Sequence, residues 1–252
     1  MFFLYDDLCS TFDVWFCGNK KYVVKYINNT NNVFMNAIYN KHHKIVKLLL
    51  KTKIIDKQKM FDGFEFAIKV GYYKIIKIMA VDKQFDQNYD YIRAINCTAN
   101  HGYQKIAKFL LKEERVFSDN KYNLAIKRAA KNGHYKIVKY LLKKIVSIVN
   151  IDYKFIINLA IYNNHYKIVK LLLKYDLIYL DSCILIQPIL WNGFYKIIKL
   201  LMKDKRIDPS YGNNFIIHTL IKNKSTIPVK RFSKIIKILL KDERVRKLYF
   251  NK

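Results

Sequence analysis

Glycine and proline are scarce in this 252-residue chain, seven and three respectively. The sequence therefore has neither a glycine-rich loop of the phosphate-cradling kind nor a Pro/Gly/Ser-rich linker at which to divide it, and one elongated unit is the economical reading. Cysteine is nearly as rare. Cys9, Cys17, Cys97 and Cys183 lie far apart except for the first two, and none forms the closely spaced pairs that zinc and redox sites use, so buried thiols are expected. No run of about 18 uncharged apolar residues occurs, which excludes an evident membrane span. The best candidate, Ile145 to Ile161, is broken by Asp152 and Lys154. Met1 to Tyr5 is apolar, but no basic segment precedes it and Asp6, Asp7 and Asp13 follow, so it does not read as a signal peptide. These absences place the protein in the cytoplasm.

Negative charge is also short, with 19 Asp+Glu against 47 Lys+Arg, a formal net charge of +28. Such a surplus invites a nucleic-acid or membrane-surface partner. It also has a plainer source. Only seven of the basic residues are arginines, beside 20 Tyr, 16 Phe and many Asn and Ile, which are the residues of A+T-rich codons. What is abundant is apolar: hydrophobic residues make up 52% of the chain, enough to bury a continuous core.

The apolar residues repeat. Lys44-Ile45-Val46-Lys47 recurs at Lys74, Lys105, Lys136, Lys167, Lys196 and Lys234, with spacings of 30, 31, 31, 31, 29 and 38 residues. Counting from each of these anchor lysines, apolar residues fall at +1, +2, +4, +5 and usually +6, and lysines at 0, +3 and usually +7. At 100° per residue the two sets take opposite faces of a helix. Ten residues before the anchors stand Phe34, Phe64, Ile95, Ile126, Ile157 and Ile186, followed by small or aliphatic pairs such as Ala37-Ile38, Ala67-Ile68 and Ala129-Ala130. This is a shorter first helix.

Gly71, Gly102, Gly133 and Gly193, with Asn164 in a fifth copy, lie three residues before the anchors. Both residue types tolerate the left-handed conformation that closes a helix, so each hairpin is antiparallel. In the last copy Ile217 follows Ile186 by 31 residues, so the extra length falls between the helices, near residues 225–233 around Ser225 to Val229. Gly18 and Val23 to Ile27 form a partial match, which makes residues 1–30 a degenerate capping segment before a solenoid over 31–252.

Ala129-Ala130-Lys131-Asn132-Gly133-His134-Tyr135-Lys136-Ile137-Val138-Lys139-Tyr140-Leu141-Leu142 resembles the A-A-x-x-G-H-x-x-V-V-K-x-L-L core of ankyrin repeats, and similar stretches run from about 30 to 245. The resemblance implies an all-α, ankyrin-type solenoid of about seven stacked antiparallel helix pairs with short connecting loops. The family's T-P-L-H opening is replaced, as by Leu124-Ala125-Ile126-Lys127, and only His218 matches its histidine. The G-A-D loop gives way to a K-[DE]-x-R-[VI] ending at Lys112 to Val116, Lys203 to Ile207 and Lys241 to Val245. That ending, with the A+T-rich composition, is similar to divergent ankyrin proteins of giant, mimivirus-like DNA viruses of amoebae.

The candidate chemistry is sparse. His42, His134 and His165 share the slot two before the anchor with Tyr72, Tyr103 and Phe194. A position that accepts His, Tyr and Phe packs or closes a turn. Nothing in the repeats arranges Ser, His and Asp or pairs carboxylates, so no enzyme, metal site or cofactor is expected. The resemblance implies a scaffold that binds proteins through the concave side formed by first helices and hairpin fingers, host proteins if the source is viral. The slots four and five before the anchor offer Tyr39, Lys69, Lys131, Tyr162 and Trp191 as contacts, with Trp191 the expected anchor.

The alternative partner is nucleic acid or another polyanion on the convex side. Lysine fills 20 of the 21 slots at 0, +3 and +7, the exception being Val81. The central candidates are Lys44, Lys47, Lys105, Lys108, Lys136, Lys139, Lys167, Lys170, Lys196, Lys199, Lys234 and Lys237. Like charges three and four residues apart cost each helix about 0.2–0.5 kcal/mol per pair. A monomer is expected.

Overall fold

A computed structural model describes residues 20–82, 85, 91–112, 122–145, 151–175, 184 and 194–250. Contacts group the chain into two units, Met1–Asp90 and Tyr91–Lys252. In the first unit α1 (Lys20–Tyr39) pairs with α2 (His43–Lys51), and α3 (Lys57–Val70) with α4 (Tyr73–Ala80). The pairs lie side by side, α1 on α3 and α2 on α4. The partial match at residues 23–27 belongs to α1, a single helix continuing to Tyr39. Gly18 and the rest of 1–19 lie outside the described residues.

The second unit holds α5 (Tyr91–His101), α6 (Gln104–Leu110), α7 (Tyr122–Lys131), α8 (Tyr135–Ile145), α9 (Tyr153–Tyr162), α10 (Tyr166–Leu172), α11 (Tyr195–Leu201), α12 (Tyr211–Lys222), α13 (Val229–Leu239) and α14 (Glu243–Phe250). The first helices α5, α7 and α9 pack in sequence, as do the second helices α6, α8, α10, α11 and α13. Among the described residues no strand occurs, and the fold is all-α.

The register follows from burial. Phe34, Phe64, Ile95, Ile126, Ile157 and Ile217 are each fully buried, and so are the +1 and +2 residues of most second helices, such as Ile137 and Val138 or Ile197 and Ile198. Burying an aliphatic side chain of this size stabilises the fold by about 1.5–3 kcal/mol. The +4 slot is only half-buried in most copies, and Leu48 is 48% exposed. It forms the edge of the apolar face rather than its centre.

The hairpin turns are also uniform. Gly71, Gly102 and Gly133 have φ of 78°, 79° and 78°, and Asn164 has 60°. The first copy uses Lys41 at φ 63°, a residue type that does not advertise such a turn. In each of these turns the N–H two before the anchor donates to the carbonyl seven before it, as from His165 to Ala160 at 2.8 Å and Tyr72 to Ala67 at 2.8 Å. This closes the first helix with a Schellman-type bond, which satisfies an orphan carbonyl. The acceptor residues Ala37, Ala67, Thr98, Ala129 and Ala160 are small and buried, which explains the alanines in the sequence pattern. Gly193 and Ile186 lie outside the described residues.

Between α12 and α13 a 3-10 turn runs over Lys224–Thr226. The helix α13 begins five residues before its anchor Lys234, whereas α8, α10 and α11 begin one residue before theirs. Part of the extra length in this copy is therefore helix.

Candidate interaction surfaces

Several conspicuous polar residues are committed to joining neighbouring repeats. The Nε2 of His134 lies 3.1 Å from the Asn100 carbonyl, and that of His165 lies 2.8 Å from the Lys131 carbonyl. A carbonyl only accepts, so each ring carries its hydrogen on Nε2. The same rings fill the space beside the preceding turn: a Cβ on Gly102 or Gly133 would stand 2.4 or 2.5 Å from them. These histidines are inter-repeat clasps. Asparagines four before the anchor are spoken for as well. Asn40 and Asn163 donate to the carbonyls of Asn36 and Leu159 in their own helices, and Asn132 donates to the carbonyl and side-chain oxygen of Asn100 in the preceding repeat.

The K-[DE]-x-R-[VI] ending is a second joint. Arg206 donates to the carbonyls of Leu173 and Tyr175 at the end of the preceding second helix, at 2.8 and 3.0 Å, while Asp204 grips its guanidinium at 2.7 and 2.9 Å. Such charge-assisted pairing is short and directional. It holds the Asp204 carboxyl below the ordinary carboxylate range, and Arg244 does the same to Asp242. Arg244 also reaches Asp208 of the preceding copy at 3.6 Å. The aliphatic residue that ends each motif, Ile207 or Val245, is fully buried. The copy at Lys112 to Val116 lies outside the described residues except for Lys112.

Exposed apolar side chains gather on the first helices. Tyr39 ends α1, 48% exposed, with Phe66 edge-on at a ring distance of 4.6 Å. Together with exposed Lys69 they line a groove of about 630 Å³ between α1 and α3, into which Asn36, Asp62 and Glu65 also face. In the second unit Tyr162 ends α9, 56% exposed, and exposed Lys131 ends the adjacent α7. The structure thus brings Tyr39 to Lys69 and places Lys131 and Tyr162 on neighbouring helices. Trp191 lies outside the described residues.

Sequence reasoning missed two further members of this face. Leu124 and Phe155, 47% and 48% exposed, stand twelve residues before their anchors on α7 and α9, with the Lys127 ammonium 4.6 Å above the Phe155 ring. Their slot holds Asn32, Asp62 and Arg93 in the earlier copies and Ile184 and Phe215 in the later ones, so it turns apolar from Leu124 onward, a signal the sequence does carry. Cys97 departs from the expected buried thiol. It is half-buried on α5, with its sulfur 3.6 Å from Nδ1 of His101.

The second helices present the opposite chemistry. All twenty lysines at 0, +3 and +7 are exposed, including Lys44 and Lys47 on α2, Lys105 and Lys108 on α6, Lys136 and Lys139 on α8, Lys167 and Lys170 on α10, Lys196 and Lys199 on α11, and Lys234 and Lys237 on α13. Among the described residues no ion pair reaches any of them. The anchor lysine is the second residue of α2, α4, α6, α8, α10 and α11, whose first turns carry no acid and whose N-termini the helix dipole already makes positive.

Residues 64–154 match the family model of ankyrin repeats, in three copies. No curated protein matches the chain. Among the described residues no helix is long and apolar enough to cross a membrane. The helix pairs stacked within each unit, with this match, make the fold all-α and ankyrin-type.

Proposed function

We propose that these ankyrin repeats form a non-enzymatic scaffold that holds a protein partner against the first-helix face. Ankyrin repeats are in general protein-protein interaction modules, and the reading rests on one observation in particular. In the second unit, among the described residues, six of the eight exposed large apolar side chains, Leu124, Phe155, Tyr162, Tyr211, Phe215 and Ile221, belong to first helices; the other two are Val229 on α13 and Tyr249 on α14. Aromatic residues such as Phe155 and Tyr162 are enriched at protein interfaces, whereas lysine is depleted there. The aromatic pair Tyr39 and Phe66, beside Lys69, offers the first unit a comparable surface. Trp191 belongs to the same slot and is assigned to the same role.

The K-[DE]-x-R-[VI] endings and the A+T-rich residue usage, which resemble those of giant-virus proteins, make a host-cell protein the first partner class to test. Affinity capture from amoebal extract with the intact chain, followed by mass spectrometry, tests the scaffold. A partner retained by the intact chain and lost from a Phe155→Ala/Tyr162→Ala variant of unchanged melting temperature is the expected result. Undiminished capture by that variant would refute the choice of face.

A further inference from the structure

We propose that the lysine face of the second unit binds duplex DNA through its phosphate backbone, without regard to sequence. This goes beyond the scaffold reading and concerns the opposite set of helices. Five second helices, α6, α8, α10, α11 and α13, pack in an unbroken row, and each presents lysine at 0 and +3, with the +7 lysine inside α8 and two residues past the end of the other four. All fifteen are exposed. The 0 to +7 span is about 10 Å along α8, where it is helical throughout, at 1.5 Å per residue. With neighbouring helices about 10 Å apart the row extends over roughly 40 Å. That length matches about twelve base pairs of duplex, which carries one charge per ~1.7 Å of its axis.

The charge is not already neutralised from within. Every acidic residue of the chain falls outside the second helices, and among the described residues none pairs with these lysines. Each lysine at the second position of a helix adds to the positive end of the helix dipole, where an anion is the favoured neighbour. Phosphates laid across the row would relieve repulsion both within and between helices.

The surroundings of the lysines select among polyanions. Inserting apolar groups, which firm attachment to an anionic membrane needs in addition to charge, are missing from the lysine slots: Val229, at the start of α13, is the exposed large apolar residue of these five helices among those described. The rings these helices offer for stacking unpaired bases, Phe109, Tyr135, Tyr140, Tyr166, Tyr195 and Phe232, are half-buried instead of open. Lys108 lies over Tyr140 and Lys234 over Tyr195, each at 5.6 Å. Beyond the lysines and the half-buried tyrosines, groups that would engage a ribose 2′-hydroxyl or a base edge stand at the two ends of the row, Gln104 at one and Arg231 and Ser233 at the other. Lysine itself is a hydrated point charge without arginine's bidentate fork, suited to phosphate and indifferent to sequence. Duplex DNA is the polyanion that asks for nothing else.

The experiment measures binding of the full chain to a labelled 20-base-pair DNA between 50 and 200 mM salt, beside two quadruple variants. One changes Lys136, Lys139, Lys167 and Lys170 to glutamine, in the middle of the row. The other changes Lys57, Lys205, Lys222 and Lys247, exposed lysines elsewhere, and so removes equal charge. Wild type should show a log–log salt slope of about −5 or steeper, and the row variant should lose about 3 from it, weakening binding on the order of a thousandfold near 0.1 M salt. The off-row variant should keep most of the affinity. Equal losses in the two variants, or a flat salt dependence, would overturn the proposal. So would tighter or equal binding at the same salt by phosphatidylserine vesicles, an RNA duplex or single-stranded DNA. All eight lysines are exposed, and unchanged melting curves confirm that each variant folds. The variants leave Phe155 and Tyr162 intact, so protein capture and DNA binding fail or succeed separately.

Discussion

The imidazole of His165 donates to the carbonyl of Lys131 at 2.8 Å while its ring occupies the place where Gly133 lacks a Cβ. One side chain thus joins two repeats by a hydrogen bond and a packing contact. Gly133→Ala places a Cβ against that ring and forces a non-glycine residue to φ near 78°. A loss of about 1–3 kcal/mol in urea denaturation is expected. His165→Phe keeps the packing and loses the hydrogen bond, so its cost should be smaller, about 0.5–1.5 kcal/mol. If the phenylalanine variant proved the less stable of the two, the glycine–ring contact would not be the tight one described.

The arginine joints make stability fall in acid. Hydrogen bonds from Arg206 and Arg244 lower the carboxyl groups of Asp204 and Asp242 from their ordinary value of 3.8. A group depressed in the folded state contributes stability that is complete above its unfolded value and is lost as pH falls through the folded one. The melting temperature should therefore drop below about pH 4. Asp204→Asn/Asp242→Asn should be less stable than wild type at pH 7 and should lose much of that difference at low pH. A pH-independent difference would remove the carboxylates from the account.

Charge repulsion across the lysine face predicts a protein stabilised by salt. Raising sodium chloride from 20 to 500 mM should raise the melting temperature by screening. Lys136→Glu and Lys167→Glu each put an acid in the first turn of a second helix, so each should gain about 0.3–1 kcal/mol at low ionic strength. A decrease in both would mean that the lysines are stabilised by something other than solvent.

The core should behave as that of any close-packed protein. Ile157 is fully buried on α9, and Ile157→Ala should cost about 2–5 kcal/mol in chemical denaturation. Leu124→Ser, which alters an exposed residue of the neighbouring first helix, should stay within about 0.5 kcal/mol of wild type.

Much of the fold was legible because repetition turns single residues into columns. The anchor lysine, the residue ten before it and the alanine seven before it each recur at a fixed register, and their burial in the structure follows the column. Legibility ended where copies differ or where the partner is backbone. Lys41 makes the same left-handed turn as Gly71, but nothing in a lysine signals it. Arg206 binds two carbonyls in the preceding copy, which leave no mark in a sequence. Asn40 and Asn163 bond carbonyls of their own helices, partners that likewise leave no mark in a sequence. Leu124 and Phe155 were missed because their slot is polar in the first three copies, at Asn32, Asp62 and Arg93, although Ile184 and Phe215 continue the apolar column and exposure in the structure picks it out.

The central claim is that protein partners meet the first helices. Site-specific cross-linking tests it most directly, with a photoreactive amino acid in place of Phe155 in one protein and in place of Lys139 in another, each irradiated in the extract from which a partner is captured. The account predicts a discrete protein adduct from position 155 and none from position 139. A protein adduct formed from 139 and absent from 155 would contradict it.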